Sequence, residues 1–280
     1  MSGYYTVKVA CWQVAGYTLS VKFKLEKTMR IIRYQIKNGA PKYGWMLEDK
    51  IGEIEGDLFG SYKRKEAQTP LSDVKLLPPS QPTKIVCVGR NYIDHAKELG
   101  NEVPKIPLIF MKPPSSIIGN GDNVILPPQS QQVEHEGELV VVISKRGKNI
   151  LAENASEYIF GYTVGNDVTA RDLQRTDELW TRAKGFDTFC SFGPWIDTEF
   201  DPSDAVVTCR VNGQMRQMAS TRDMVFNVGI LIAYVSSVMT LEPGDLLFTG
   251  TPAGVGKLED GDVVDVEIEG LGKLSNPVKA

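Results

Sequence analysis

The chain has 280 residues, with 31 Lys and Arg against 35 Asp and Glu and a formal charge of -4. That balance lacks the clustered basic charge of a nucleic-acid surface. With 42% hydrophobic and 24% charged residues, the composition is that of a folded globular chain and not a disordered one.

Only two histidines are present, His95 and His135, which excludes a multi-histidine zinc or copper site within one chain. A metal here needs oxygen ligands. The cysteines Cys11, Cys87, Cys190 and Cys209 form no C-x-x-C pair. Cys87 lies in an apolar run and reads as a buried thiol, so the expected compartment is the reducing cytoplasm. No apolar run reaches the ~18–20 residues that span a bilayer. Met1 to Ala15 lack the basic start and apolar stretch of a secretory signal.

In chain order, Tyr5–Val9 alternates as a strand does. Arg30–Ile36 reads as a strand, Asn38-Gly39 as a hairpin turn and Tyr43–Leu47 as its partner. Asp49-Lys50 reads as a further turn and Ile51–Ile54 as a strand. Leu76 to Lys84 carries Pro78, Pro79 and Pro82 and reads as a linker. Beyond it the chain is strand-rich, with strands expected at Ile85–Val88, Leu108–Met111, Leu139–Ile143, Tyr162–Val164, Val206–Val211, Leu246–Thr249 and Val263–Ile268. Helices are expected at Tyr92–Leu99, Ala170–Arg182 and Met224–Val238, the last with Asp223 as N-cap. The strands do not alternate regularly with helices, which argues against a doubly wound sheet.

Glu134, Glu136 and Glu138 alternate along one strand and so project from one face. Three carboxylates there repel unless something positive sits between them, and a divalent cation with hard oxygen ligands does this. A solvated polar strand face fits the same spacing. Asp167 lies where a strand gives way to a helix, as a further carboxylate or as an N-cap. Asp172 can pair locally with Arg171 or Arg175. The loop Thr249–Lys257 fails as a phosphate loop, because G-x-x-x-x-G-K is absent and Leu258 follows Lys257. It can instead offer backbone N–H groups and the Thr251 hydroxyl to an anion. On a helix, His95 and Glu98 are three apart and meet, either as an oriented general base or as a surface ion pair. The following Gly100-Asn101-Glu102 would let this segment move as a lid.

These segments in this order resemble the fumarylacetoacetate hydrolase family. The motifs are Val88-Gly89-Arg90-Asn91-Tyr92, Phe110-Met111-Lys112-Pro113, Glu136-Gly137-Glu138-Leu139, Asn166–Asp172, Lys184-Gly185-Phe186-Asp187, Val211-Asn212-Gly213 and Gly250–Gly256. The resemblance runs from about residue 29 to the end, and residues 29–75 are similar to the small N-terminal domain of one bacterial branch. Residues 1–28 fall outside it, and Met29 sits where family members commonly start. The first 28 residues are therefore expected to be an extension or a misassigned start, residues 29–80 a small β domain and residues 81–280 the catalytic domain.

The resemblance implies an α+β, mainly β fold, a mixed β-roll around one Mg²⁺ or Mn²⁺, with Ca²⁺ able to replace it in crystals. It also implies a homodimer acting on a small-molecule 2-oxo acid, with no nucleic-acid or membrane partner. Glu136, Glu138 and Asp167 take the places of the metal ligands, which leaves Glu134 outside the ligand set. Lys184 takes the place of the site lysine, where it would stabilise negative charge or donate a proton. Gln174 and Thr251 take those of substrate contacts, with Arg90 a further anion contact. His95 and Glu98 match the lid pair of the acylpyruvate hydrolase branch, and His135 is expected beside the metal strand without a catalytic role. The implied chemistry is C–C hydrolysis or decarboxylation through a metal-stabilised enolate. The alternatives are a 2-hydroxyhepta-2,4-diene-1,7-dioate isomerase or 5-oxopent-3-ene-1,2,5-tricarboxylate decarboxylase of aromatic catabolism, or a catalytically silent metal-binding homologue.

Overall fold

The computed structural model describes residues 29–280, together with the backbone of the antiparallel pair Val9–Val14 and Tyr17–Lys22. Apart from Val9, the strand expected over Tyr5–Val9 lies outside the described residues.

The fold is mainly β, in several open sheets. The main path of the largest sheet runs Leu108–Lys112, Ile85–Gly89, Leu246–Phe248, Gly137–Ile143, Ile159–Asp167, Cys190–Asp197, Arg30–Gln35, Lys42–Leu47, Lys50–Gly56 and Tyr62–Arg64. The N-terminal hairpin therefore does not stand as a sheet of its own. Arg30–Gln35 continues the large sheet through Ile31, which faces Ile196. The proline-bearing connection is packed down, since a Cβ on Gly119 would lie 3.0 Å from the Pro78 ring.

Every residue of Gly137–Ile143 is buried, because both faces of this central strand are covered. Leu139, Val141 and Ile143 join Val86, Val88 and Leu247 on one side. Val140 and Val142 join Ile85, Cys87, Leu246 and Phe248 on the other. The unbroken apolar run is the sequence mark of such a strand, and each such side chain contributes about 1.5–3 kcal/mol by leaving water. A five-stranded sheet, Val124–Ile125, Gly272–Lys279, Val263–Ile268, Val206–Val211 and Gln214–Ser220, packs against it through Val207, Cys209, Val264 and Val266.

The helices are shorter than expected. Ile93–Glu98 matches the expected segment within a residue at each end. The single helix expected over Ala170–Arg182 is two short ones, Arg171–Thr176 and Thr181–Lys184. The long helix starts at Val228, not Met224, and its N-cap is Asn227, whose side chain accepts from the Ile230 N–H. Asp223 instead closes a capping box with Ser220 one turn earlier. Cys87, Cys190 and Cys209 are free and buried. No helix of the described residues is long and apolar enough to cross a membrane.

Candidate metal centre

The acidic strand is broken at its middle residue. Val133–His135 pairs with Thr169–Ala170 and Gly256–Lys257, whereas Gly137–Ile143 pairs with Ile159–Asp167. At the break the Asn166 side chain accepts from the Glu136 N–H at 2.9 Å, and the Asp167 N–H donates to the Glu136 carbonyl at 2.9 Å. Two neighbouring strands thus deliver Glu136, Glu138 and Asp167 to one point. One carboxylate oxygen from each lies within 4.8 Å of the others, and all three side chains are buried.

Glu134 does not join them. Its carboxylate accepts from Arg171 Nε at 2.7 Å and from Gln132 Nε2 at 2.6 Å. The positive charge expected among the glutamates is, for Glu134, the Arg171 guanidinium, which it shares with Glu136.

Cations from the chain hold the cluster together. Arg171 bridges Glu134 and Glu136 and also donates to Gln174 Oε1 at 2.5 Å. Lys184 Nζ sits between Glu136, at 2.7 Å, and Asp167, at 2.6 Å. Lys112 pairs with the other oxygen of Asp167 and donates to the Val168 carbonyl at 3.0 Å. Four buried carboxylates thus face three buried cations. Burial opposes charge on Glu136, but Lys184 and Arg171 overcome it and hold its carboxyl well below the usual range. Burial also opposes charge on Lys184, yet Asp167 and Glu136 raise its pKa. The ammonium form of Lys184 is thereby favoured.

Glu138 is the exception. It accepts one hydrogen bond, from the Gly250 N–H at 2.7 Å, and among the described residues no basic side chain pairs with it. Burial, Asp167 and Glu136 push its pKa well above the ordinary value. A buried carboxylate without a basic partner, within 4.8 Å of two others, is a donor set that fits a hard divalent cation.

The other expected residues gather around this point. An inner cavity of about 40 Å³ is lined by His95, Glu136, Glu138, Arg171, Gln174, Lys184, Thr251 and Arg90. Beside it, and sharing Arg90, Gln174 and Trp180 with it, lies a space of about 340 Å³ that Glu98 and Arg175 also line. His95 is buried, and its Nδ1 lies 3.2 Å from Glu98 Oε2. Glu98 also accepts from the Gly254 N–H at 3.0 Å, which ties the helix to the glycine loop. Burial lowers the His95 pKa, and Glu136 and Glu98 offset this only in part. The neutral imidazole is thereby favoured.

Three local readings are corrected. Asp167 caps no helix; the N-cap of Arg171–Thr176 is Ala170, with no side-chain bond. Asp172 pairs with neither arginine, because its carboxylate accepts from Ser130 Oγ at 2.6 Å and the Gln131 N–H at 2.8 Å. The glycine loop offers no free hydroxyl proton to an anion, since Thr251 Oγ1 donates to the Gly137 carbonyl at 2.9 Å. Its Gly250 and Gly254 N–H groups serve Glu138 and Glu98.

Residues 84–279 match the fumarylacetoacetate (FAA) hydrolase C-terminal domain. The chain belongs to the fumarylacetoacetate hydrolase family. Residues 29–79 match the Rv2993c-like, N-terminal domain. An uncharacterised protein of Methanocaldococcus jannaschii is 56% identical over 71% of this chain and 84% of its own length. A human mitochondrial oxaloacetate tautomerase is 49% identical over 75% of this chain and 71% of its own. Among solved structures, a 2-hydroxyhepta-2,4-diene-1,7-dioate isomerase from Mycobacterium marinum is 43% identical with a TM-score of 0.83, over 90% of this chain and 98% of that one. A maleylpyruvate hydrolase from Sphingobium sp. SYK-6, solved with manganese(II) and pyruvate, is 31% identical with a TM-score of 0.73, over 90% of this chain and 99% of that one. Family relatives thus carry hydrolase, isomerase and tautomerase names on one fold.

Lys112 and Arg171 are the residues that sequence reasoning missed. The signal for Lys112 was a lysine ending an apolar strand before two prolines, where a solvated side chain is out of place. The signal for Arg171 was the surplus of carboxylates on the acidic segment.

Proposed function

We propose that this chain is a divalent-metal-dependent enzyme acting on small 2-oxo or enol carboxylates, with hydrolysis of the C3–C4 bond of an acylpyruvate, or decarboxylation, as its reaction. The observation that carries this reading is that one cavity is lined by Glu136 and Glu138, which cluster with Asp167, and by His95, which is held by Glu98. Glu136, Glu138 and Asp167 would hold Mg²⁺ or Mn²⁺, which when bound supplies Lewis acidity for the substrate's carbonyl.

The chain's own residues do the rest. Glu98 holds the proton of His95 on Nδ1, which leaves Nε2 as the base. His95 takes a proton from water as the oxygen attacks C4, and the C3–C4 electron pair passes to C3 as an enolate. Lys184, held charged by two carboxylates, stabilises that developing negative charge. Arg90 and Gln174 orient the acid in the mouth of the cavity. The proton that His95 took from water is given up to C3, which completes the products and restores the neutral imidazole.

His95→Ala is expected to cut hydrolysis by about 10²–10⁴-fold while sparing decarboxylation, which needs no activated water. Equal loss of both would remove the distinction. Because the base must be neutral, the rate should fall on the acid side with a midpoint below the ordinary histidine value of 6.5. A pH–rate profile checks this, and a midpoint above 7 would contradict it.

A second reading is keto–enol tautomerisation or diene isomerisation, in which His95 only moves a proton. The oxaloacetate tautomerase and diene-dioate isomerase names of the relatives favour it. A panel of acylpyruvates, oxaloacetate and homoprotocatechuate-pathway dienes, assayed with Mg²⁺ and with Mn²⁺, separates the readings. Failure of every substrate would sink both.

A further inference from the structure

We propose that Gln217 is a positioning residue for the centre, fixing both the backbone between the two glutamate ligands and the hydroxyl of Thr251. This rests on the reading of Glu136 and Glu138 as ligands and of Thr251 as a substrate contact.

Gln217 comes from the other sheet. It lies on the strand Gln214–Ser220, where it is the one fully buried residue, and it is a polar one. The register with Val206–Val211 slips just beside it, with Cys209 facing Gln217 and Arg210 facing Met215. Arg216 is the extra residue of a bulge, a device that re-aims the next side chain. The glycine loop comes in against this bulge: a Cβ on Gly254 would lie 2.0 Å from the Arg216 carbonyl oxygen.

The amide of Gln217 is fully used. Its oxygen accepts from the Gly137 N–H at 3.0 Å and from His135 Nδ1 at 3.1 Å. Its nitrogen donates to Thr251 Oγ1 at 2.7 Å and to the Pro252 carbonyl at 2.7 Å. The Gly137 N–H can only donate and the Pro252 carbonyl can only accept, so the amide has one orientation. Two consequences follow. His135 must carry its proton on Nδ1, so its role is to hold Gln217 and not to reach the cavity. Thr251, receiving from Gln217 and donating to the Gly137 carbonyl, presents an oxygen lone pair to the cavity and no proton. It is built to accept from a substrate hydroxyl or from water.

Gly137 lies between the two glutamates and has both its N–H and its carbonyl in this network. The side chain of Gln217 therefore sets the peptide that separates Glu136 from Glu138. The same loop carries the Gly250 N–H to Glu138 and the Gly254 N–H to Glu98. Through one amide, the ligand pair, the substrate contact and the helix of the catalytic base share a frame.

The test combines Mn²⁺ titration followed by electron paramagnetic resonance with steady-state kinetics on the full chain, for the parent, Gln217→Met, Thr251→Val and the double variant. Gln217→Met should weaken Mn²⁺ binding about tenfold and cut kcat/KM about 30-fold or more. Thr251→Val should raise KM with Mn²⁺ affinity within about threefold of the parent. The double variant should lose no more in kcat/KM than the worse single one, since both act through one network. Should Gln217→Met fail to fold, Gln217→Glu keeps the shape and the acceptors and loses donation to Thr251 and Pro252. It should lower kcat/KM about tenfold with Mn²⁺ affinity within about threefold. A folded Gln217 variant with a lower Tm but parental Mn²⁺ affinity and kcat/KM would overturn the proposal, as would losses that multiply in the double variant. A parent that binds Mn²⁺ yet turns over no 2-oxo acid would sink the functional reading alone, and the Mn²⁺ titrations would still decide on Gln217.

Discussion

Glu138→Gln is expected to raise the melting temperature of the metal-free protein by roughly 3–6 °C at pH 8 and to abolish Mn²⁺ binding. Both effects come from one fact. The Glu138 carboxyl is buried against Asp167 and Glu136 with a single N–H for company, and its pKa is pushed well above the ordinary 4.5. The sign of the linkage follows. Below 4.5 the group is neutral in both the folded and unfolded states and costs nothing. As the pH rises past that value the unfolded chain releases the proton and the folded chain retains it, so stability falls until the folded pKa is passed. Glutamine has no proton to release, and the gain should be larger at pH 8 than at pH 5. The same charge that destabilises the metal-free fold is what a divalent cation requires, so the variant gains stability and loses the ion. Scanning calorimetry of EDTA-treated protein at the two pH values, with Mn²⁺ titration, checks this. A variant that melts below the parent, or that still binds Mn²⁺, would contradict it. Glu134→Gln makes the opposite pattern: Mn²⁺ affinity is kept, because Glu134 belongs to Arg171 and Gln132, and stability is lost.

Arg171→Met is expected to cost about 3–5 kcal/mol, because it leaves Glu134 and Glu136 buried with one of their cations removed. Methionine fills most of the volume, so the loss reports charge and hydrogen bonding and not a cavity. Gln174 also loses the donor that fixes its amide, so KM should rise as well. Adding Glu134→Gln to the variant should recover part of the stability, since it removes one of the stranded charges. Urea unfolding of the two single variants and the double variant measures this. A loss under about 1 kcal/mol for Arg171→Met would place the pair among weak surface bridges and contradict the account.

Much of this was legible in the sequence. The apolar run after Glu138 announced a strand, which the fold covers on both faces. The i, i+3 spacing of His95 and Glu98 announced their contact. The ordered motifs announced the family and, by transfer, the triad. What the sequence hid were interactions set by partners distant along the chain. The strand break at Glu136 depends on Asn166, thirty residues away, whose side chain replaces a ladder bond. Parity along the strand could not separate Glu134 from the clustered carboxylates, whereas the fold pairs it with Arg171 and Gln132. Arg171 and Asp172 are adjacent and of opposite charge, which suggested a local pair, but adjacent residues on a helix diverge and each found a better partner elsewhere. Lys112 and Gln217 gave only a weak signal. Each is a polar side chain on a strand whose direction and neighbours follow from the assembled sheets.

The central claim is that this cavity makes and holds an enolate of a 2-oxo acid, whichever product follows. Exchange of the C3 protons of pyruvate with solvent in D₂O, followed by proton NMR with Mg²⁺ present, reads that step directly. The account predicts exchange faster than in the protein-free control, abolished by EDTA and by His95→Ala and restored by added Mg²⁺. Exchange no faster than the control, in protein shown to bind the ion at Glu136, Glu138 and Asp167, would contradict it.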